Sequence, residues 1–355
     1  MTERLLNWFA DHARDLSWRR ERTPYRVWLA EVMLQQTRAG TVGPYYERFL
    51  ARFPTLEALA AAPLEDVLRV WEGLGYYARA RNLHDTARQI VKERGGRLPE
   101  TARELRRLPG VGEYIANAVA SIAFGHPVAA VDGNVRRVLA RLFAVAGDPL
   151  RPPARQRLDE LAASLLPPDR AGLFNEALME LGAAVCRPRR PRCDDCPLAG
   201  DCQAHRAGQE EAFPTRAPRR VVPHHQVAAG ILRDADGRVL VACRAADDFL
   251  GGLWEFPGGG QEEGESLQEC LARELREELG IEVEIGPELL VMEHAYTHFR
   301  ITLHVFECRL RGGTPRCLEC ADVRWVAPAE LDALPMSVTD RRIARAIVTA
   351  GHADW

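Results

Sequence analysis

Leu108-Pro109-Gly110-Val111-Gly112 stands between two helical runs, and Val131-Asp132-Gly133-Asn134-Val135 introduces a third. Glycines in such a turn leave backbone N–H groups pointing outward at the start of the next helix, near Glu113, which makes a ready phosphate site. A lone turn of this kind says little, because any tight helix–helix connection can use glycine. Its surroundings carry more. Thr23-Pro24 supplies an N-cap and a first helical residue, and Tyr25, Trp28, Val32 and Gln36 follow at spacings of three and four. Amphipathic runs occupy 55–73, 76–94, 101–107, 113–124, 133–144, 154–165 and 171–185, broken by Pro and Gly punctuation. Strand-like alternation is almost absent before residue 220, so residues 1–208 are predicted to form an all-α domain. A Pro/Arg-rich stretch within 209–223 reads as a linker. Beyond it, 226–233, 238–244, 300–309 and 323–326 read as strands, and 267–279 and 339–349 as helices. Residues 224–355 are therefore predicted to be an α+β domain.

A length of 355 residues accommodates two such domains, and 46% hydrophobic with 27% charged residues excludes a disordered or fibrous chain. No run of about 18 apolar residues is present, so no membrane span is expected. The N-terminus mixes charge with apolar residues, unlike a secretory signal. The expectation is a monomeric, cytoplasmic, nucleoid-associated protein. The formal charge of −3 hides an asymmetry. Residues 1–220 hold 34 Lys+Arg against 27 Asp+Glu, a net +7, and residues 221–355 hold 13 against 23, a net −10. Such a division points to nucleic acid. Lys92 is the single lysine among 47 basic residues, which restricts any mechanism needing an amine.

Cys186, Cys193, Cys196 and Cys202 form a C-x6-C-x2-C-x5-C run at the end of the helical half. Four thiolates so close suit a metal site or an iron–sulfur cluster, and tetrahedral zinc would satisfy the same ligands. A disulfide pair is disfavoured in a chain without a secretory signal. Cys243, Cys270, Cys308, Cys317 and Cys320 read mostly as core residues, since Cys317-x-x-Cys320 has no second pair nearby.

Taken in order, the glycine hairpin, the Val131–Val135 segment and the cysteine run resemble the helix-hairpin-helix DNA glycosylases with a terminal iron–sulfur loop. Two further stretches, Trp28-Leu29-Ala30-Glu31-Val32-Met33-Leu34-Gln35-Gln36-Thr37 and Gly73-Leu74-Gly75-Tyr76-Tyr77-Ala78-Arg79-Ala80-Arg81, are similar to the MutY-type adenine glycosylases within that superfamily. The resemblance covers roughly residues 5–220. It implies one [4Fe-4S] cluster on the four cysteines of loop 186–202, and backbone contacts to DNA from Leu108, Gly110 and Gly112. It implies Tyr114 and Asn134 as groups supporting Asp132, Arg19 and Glu176 near the adenine, and Gln36 and Tyr76 as wedges in the base stack. Lyase-type relatives carry a lysine where this chain has Tyr114. With no amine there, Schiff-base chemistry is not expected.

Glu31 lies between apolar neighbours Val27 and Leu34, so it is less suited to a solvated helix face than most carboxylates, and burial would raise its pKa. Cleaving an N-glycosidic bond needs an acid for the leaving base and a negative charge for the cation-like sugar. Glu31 fits the first role and Asp132 the second. Arg79, Arg81, Arg106, Arg107, Arg136 and Arg137 would provide phosphate contacts, although each taken singly reads first as a plain surface charge.

The acidic half contains Gly259-x5-Glu265-x7-Arg273-Glu274-Leu275-Arg276-Glu277-Glu278-Leu279-Gly280-Ile281, every position of the Nudix box. Glu274, Glu277 and Glu278 share one helical face and are candidate Mg2+ ligands. The MutY-type family carries a Nudix-like domain that reads 8-oxoguanine, usually with a degraded box; here the box is intact. The family's aromatic-Ser/Thr-His lesion loop is matched by Tyr296-Thr297-His298. The sequence therefore predicts a monofunctional glycosylase removing adenine opposite 8-oxoguanine or guanine in double-stranded DNA. Two alternatives stand beside it: an added Nudix diphosphohydrolase activity, or an iron–sulfur DNA-binding protein without excision.

Overall fold

The computed structural model describes residues 1–215 and 221–350. The chain divides into two compact units, Met1–Ala61 with Asn82–Arg219, and Ala62–Arg81 with Arg220–Trp355. The expected linker 209–223 falls partly outside the described residues, at 216–220. Among the described residues no helix is long and apolar enough to cross a membrane.

Thirteen α-helices precede the sheets among the described residues. They are α1 (Thr2–His12), α2 (Ser17–Arg20), α3 (Pro24–Leu34), α4 (Ala39–Arg52), α5 (Leu56–Ala61), α6 (Leu64–Trp71) and α7 (Ala78–Arg94). There follow α8 (Ala102–Leu105), α9 (Glu113–Phe124), α10 (Gly133–Leu142), α11 (Ala154–Leu165), α12 (Ala171–Ala184) and α13 (Gln203–Arg206). The run expected over 55–73 is broken into α5 and α6 at Pro63, whose missing N–H cannot continue a helix. Thr23 caps α3 by accepting from the Arg26 N–H, with Pro24 in the first turn, as the sequence predicts. Asp132 caps α10 by accepting from the Val135 N–H at 2.7 Å.

In the helical unit α12 packs against α1, α9 and α10, and α9 packs against α3. Leu5, Phe9, Val135, Leu139, Phe174, Leu178 and Leu181 fill the space between α1, α10 and α12. At the glycine hairpin, Gly110 has φ +69, and a Cβ there would lie 2.6 Å from the Asn82 side chain. That position requires glycine on both counts.

The second unit contains β1 (His224–Leu232), β2 (Val239–Cys243), β3 (Trp254–Glu255), β4 (Gly258–Gly260), α14 (Leu267–Leu279), β5 (Glu282–Ala295), β6 (Arg300–Gly312), β7 (Asp322–Val326) and α15 (Val338–Ala350). One sheet runs β4-β1-β6-β5 and the other β3-β2-β7. Only β1 and β6 pair in parallel among these strands; the rest are antiparallel. Alternation along β1 sends Ala228 and Leu232 to a core under α14, and Ala229 and Ile231 to a core with α15. Ser266 and Glu269 form a capping box on α14, and Gly280, at φ 67, ends it.

Three features depart from expectation. Strands β3, β4 and β5 were not predicted. Cys317 and Cys320, expected in the core, form a disulfide in the β6–β7 connection. Residues 62–81, expected in the helical domain, belong by contact to the second unit. There Arg341 pairs with Glu72 at 2.6 and 2.8 Å, Trp254 Nε1 donates to Glu65, and the Tyr77 hydroxyl donates to the Met336 carbonyl.

Candidate functional site

Glu31 sits in the last half of α3, 6% exposed, where its helix packs on α9. Burial raises its pKa to about 7, with the Asp132 and Glu176 charges adding to the shift and a Tyr114 hydrogen bond opposing it. The Tyr114 hydroxyl donates to Glu31 Oε2 at 2.7 Å, and it also lies 3.3 Å from Met179 Sδ. The resemblance implies that Tyr114 supports Asp132; its hydrogen bond here goes to Glu31, and the Asp132 charge is also among the causes, after burial and Glu31, that raise the Tyr114 pKa. Asp132, at the N-cap of α10, accepts from the Val135 N–H through Oδ1 and from Asn134 Nδ2, at 2.8 Å, through Oδ2. Burial raises its pKa, against the pull of those donors and of Arg137. A shared electrostatic environment thus holds two carboxyl groups with different partners: one aromatic hydroxyl for Glu31, a ring of amides for Asp132. Such a pair can divide into a protonated acid and a charge-bearing base.

Behind them α12 carries Glu176 and Glu180, both buried. Arg19 reaches Glu176 at 3.4 Å and Glu180 at 2.9 Å, Arg22 reaches Glu176 at 2.9 Å, and Arg14 holds Glu180. Arg14, Arg22, Glu180 and Met179 were not identified from sequence. The available signal was Glu176 and Glu180 one helical turn apart in an otherwise apolar run, a spacing that demands buried counter-charges. Although ion-paired, the buried Arg19 Nε and Glu176 Oε2 atoms have no hydrogen-bond partner among the described residues. Arg14, Arg19 and Arg22 also line a cleft of about 450 Å³ with Phe9, Leu16 and Leu173.

The hairpin residues divide by exposure. Leu108 is buried, Gly110 and Gly112 are exposed, and Gly112 is the N-cap of α9. Arg106 and Arg107 beside them are exposed, as a phosphate contact requires. Four other arginines have hydrogen bonds within the protein. Arg136 donates to the Pro149 carbonyl, Arg137 to the Cys186 and Gly182 carbonyls, Arg81 to the Gly251 carbonyl, and Arg79 to a turn described below.

Gln36 and Tyr76 are both exposed and both left-handed, at φ 56 and φ 50. For non-glycine residues this costs of order 1–3 kcal/mol each, a strain that often marks functional positions. Tyr77, next in sequence, is buried.

The four cysteines of the loop are half-buried and outside any disulfide. Arg141, 2% exposed, donates from Nη1 to Cys186 Sγ at 3.3 Å and to the Arg187 carbonyl at 2.7 Å, and from its other nitrogens to the Pro188 and Phe213 carbonyls. Burial raises the Cys193 thiol to about 12 and the Cys196 thiol to about 11, with neighbouring cysteines among the causes. Thiols shifted this way become thiolates readily only around a cation. His205 and Glu210 stand beside Cys193, near enough that the three could themselves hold a metal ion; neither was identified from sequence.

In the second unit, Arg273 braces the acidic face of α14. It pairs with Glu265 at 2.8 Å, Glu274 at 2.9 Å and Glu277 at 3.1 Å. Burial raises Glu278 to about 7, and the Glu274 charge adds to it. A Cβ on Gly259 would overlap the Glu274 carboxyl, so any larger residue there would displace that carboxyl from its present position. The loop after β5 presents exposed Thr297 and His298. Tyr296 sits in a cluster with His294, Phe299 and the half-exposed Phe249, ring centroids 4.5–5.1 Å away. The Thr297 hydroxyl is hydrogen bonded to that of Tyr76.

Comparison with known proteins agrees with this layout. A model described as HhH-GPD superfamily base excision DNA repair protein matches residues 29–164, and a NUDIX domain model matches residues 228–346. The chain is 36% identical to adenine DNA glycosylase of Homo sapiens, across 96% of this chain and 72% of that protein. It is 36% identical to the Rattus norvegicus adenine DNA glycosylase across 96% and 76%, and 33% identical to that of Arabidopsis thaliana across 87% and 57%. Among solved structures, a thermostable thymine-DNA glycosylase is similar at 32% identity and a TM-score of 0.53, over 58% of this chain and 95% of that one. A non-covalent endonuclease III–DNA complex is similar at 26% identity and a TM-score of 0.50, over 58% and 94%.

Proposed function

Since this chain belongs to the adenine DNA glycosylase family, we propose that it removes adenine opposite 8-oxoguanine or guanine in double-stranded DNA, with Glu31 as general acid. The observation that carries this reading is the buried Glu31 carboxyl, half-protonated near neutral pH, in one electrostatic cluster with Asp132. Glu31 donates its proton to the purine as the C1′–N9 bond breaks; the Asp132 carboxylate, held by Val135 and Asn134, stabilises the positive sugar until water adds at C1′ and its released proton restores the Glu31 acid. Tyr114 fixes the Glu31 carboxyl in one orientation. The Arg19 guanidinium and the Glu176 carboxyl, ion-paired with one another and Glu176 also with Arg22, offer a donor and an acceptor to the edge of an extruded base. Lys92 lies in the last turn of α7 and Tyr114 occupies the lyase position, so the products are free adenine and an uncleaved abasic strand. In the second unit the Tyr76–Thr297 contact, with the Tyr296 aromatic cluster and His298, is the reader of the opposite lesion.

Excision rates on duplexes with A opposite 8-oxoguanine, guanine, cytosine and thymine test this. Release from the first two and little from A:T is expected; no release from any duplex overturns the reading. A protonated acid also predicts the pH dependence. Glu31 must hold its proton, so the single-turnover rate falls as pH rises through about 7. Tyr114→Phe removes the donor that opposes the rise, so its descending limb moves to higher pH, measurable by rapid-quench excision between pH 5 and 9.

Cys186, Cys193, Cys196 and Cys202 are the residues that would hold one [4Fe-4S] cluster, and its contribution when bound is a tie across the loop from 186 to 202. Their clustered, half-buried thiols fit a cation-containing group, and Arg141 holds both the first ligand and the backbone after it. Arg141→Gln is expected to lower iron per chain and visible absorbance by half or more, with the glycosylase fold retained by circular dichroism. Zinc in place of iron would contradict the cluster assignment.

A second reading for the acidic unit is favoured by the Arg273-braced carboxylates of the intact box. Glu274, Glu277 and Glu278 would hold Mg2+ against a nucleoside diphosphate. Nucleotide hydrolysis with Mg2+, against a Glu277→Gln control, tests it; no turnover leaves lesion reading as the role of this unit.

A further inference from the structure

The turn before α7 is unusual in its backbone. Gly73, Gly75 and Tyr76 have φ of 90, 75 and 50, so three left-handed residues fall within four positions. Two are glycines, for which this is ordinary; the third is a tyrosine, for which it is not. The Tyr76 carbonyl accepts from the Arg79 N–H at 2.9 Å, and the Leu74 and Gly75 carbonyls of the turn need donors of their own.

Arg79 supplies them. Its side chain is buried, 8% exposed for the residue. Nη2 donates to the Gly75 carbonyl at 2.9 Å and the Leu74 carbonyl at 3.3 Å, and Nε donates to the Tyr76 carbonyl at 3.4 Å. The guanidinium carbon also lies 5.4 Å from the Tyr76 ring and 5.3 Å from the Trp71 ring, both within cation–π range. Trp71 Nε1 adds a bond to the Gly75 carbonyl at 3.1 Å, and the Tyr77 hydroxyl accepts from the Gly73 N–H. Desolvation of the guanidinium pushes its pKa down to about 10, the opposite of what a phosphate-facing arginine would need.

The exposed product of this internal wiring is one side chain. Tyr76 is 39% exposed, and its hydroxyl is bonded to Thr297 in the lesion-loop match. All of these groups lie in a single compact unit, Ala62–Arg81 with Arg220–Trp355, whereas Glu31 and Asp132 lie in the other.

We infer that Arg79 is the positioning residue of Tyr76: it clamps the left-handed turn so that the ring is preset beside Thr297 before DNA arrives. This rests on the reading of the chain as a mispair glycosylase whose second unit recognises the opposite base. A turn already ordered spares the complex the entropy of freezing it, so the clamp serves recognition. Planarity matters, because a guanidinium can fork between carbonyls and stack on rings while an ammonium cannot do both. Lysine at 79 should therefore restore the charge and not the function.

The test is a double-mutant cycle in the full chain, with Arg79→Gln, Arg79→Lys, Tyr76→Ala and Arg79→Gln/Tyr76→Ala. Single-turnover excision and equilibrium binding are measured on A:8-oxoguanine and A:G duplexes. Arg79→Gln is expected to lose about tenfold in affinity for the 8-oxoguanine duplex, Arg79→Lys nearly as much, and both less on A:G. The double variant should be no worse than Tyr76→Ala, as groups acting through one another are non-additive. The slope of log Kd against log salt should match the unsubstituted chain, whereas losing a phosphate contact would reduce it by about 1. Amide exchange at 74–77, read without DNA, should speed up in both Arg79 variants.

Additive losses, a reduced salt slope, rescue by lysine, or unchanged exchange would each overturn the inference. Failure of the functional reading is distinguishable, because it would show as no adenine release by the unsubstituted chain while the exchange result still reports on the clamp. Arg79→Lys keeps the charge at 79, so a folding defect confined to Arg79→Gln still leaves affinity, salt slope and amide exchange readable in Arg79→Lys.

Discussion

Replacing Glu31 by Gln is expected to reduce adenine release by about a thousandfold, within the 10²–10⁴ range of a lost general acid, and at the same time to stabilise the protein above pH 7. The two effects share one cause. The folded-state pKa of Glu31 is raised from 4.5 to about 7, first by burial. Between those values the folded chain binds more protons than the unfolded one, so stability falls as pH rises through that window. The full cost, up to about 3 kcal/mol for a shift of this size, is present above pH 7 and absent below 4.5. Glutamine cannot ionise and can still accept from Tyr114. Thermal unfolding of Glu31→Gln should therefore match the unsubstituted chain near pH 4.5 and exceed it at pH 8. Equal melting at pH 8 would mean that Glu31 is solvated, and would remove the physical basis for its acidity. Binding to the mispaired duplex should persist, because no phosphate or base-stacking contact is altered.

Asp132→Asn should also reduce excision, by about 10² to 10³, the usual scale for removing one fixed charge from a developing ion. Its stability effect should be small because two changes oppose each other. Relief of a buried carboxylate favours the variant. Against it, the new amide meets Asn134 Nδ2, and Asn134 cannot simply flip, since its Oδ1 already accepts from Arg137 at 2.8 Å. Asp132→Ala should add a separate loss of about 1 kcal/mol by removing the cap of α10. Urea unfolding of both variants beside their single-turnover rates separates charge from cap. If Asp132→Asn excises at the original rate, the oxocarbenium role passes to another group.

What was legible in the sequence was local chemistry. Thr23-Pro24 marks a helix start through groups only a few residues away, and the structure uses it as read; Ser266 with Glu269 and Gly280 bound α14 by equally local means, though they were not singled out from sequence as helix ends. The carboxylate face of α14 followed from helical spacing in the same way. Strand β5 was hidden by Gly286-Pro287, which reads as a turn; in the sheet that dipeptide sits at a register shift against β6, where a proline without an N–H is tolerated. Its other residues are mostly exposed or half-buried, so alternation was weak. The allegiance of 62–81 depends on Glu72 meeting Arg341, which is 269 residues distant, and no local pattern encodes that.

The candidate site divides along the same line. Glu31 and Asp132 were legible because a carboxylate among apolar neighbours, or just before a helix, is conspicuous in one dimension. The arginines were not. Arg79, Arg136, Arg137 and Arg141 look in sequence like surface cations, and in the fold they satisfy carbonyls at turns, loops and the cysteine run. Tyr114 was assigned to Asp132 and bonds Glu31, a choice set by how α9 packs on α3.

Base removal by two carboxyl groups involves no lysine chemistry. The most direct measurement incubates the full chain with a duplex carrying one A opposite 8-oxoguanine, under borohydride, and resolves free base, strand length and protein–DNA adduct. The expected result is free adenine equal to the abasic sites formed, an unbroken strand until alkali is added, and no trapped adduct. Strand scission without alkali together with a borohydride-trapped adduct, or an intact adenine after binding, would contradict it.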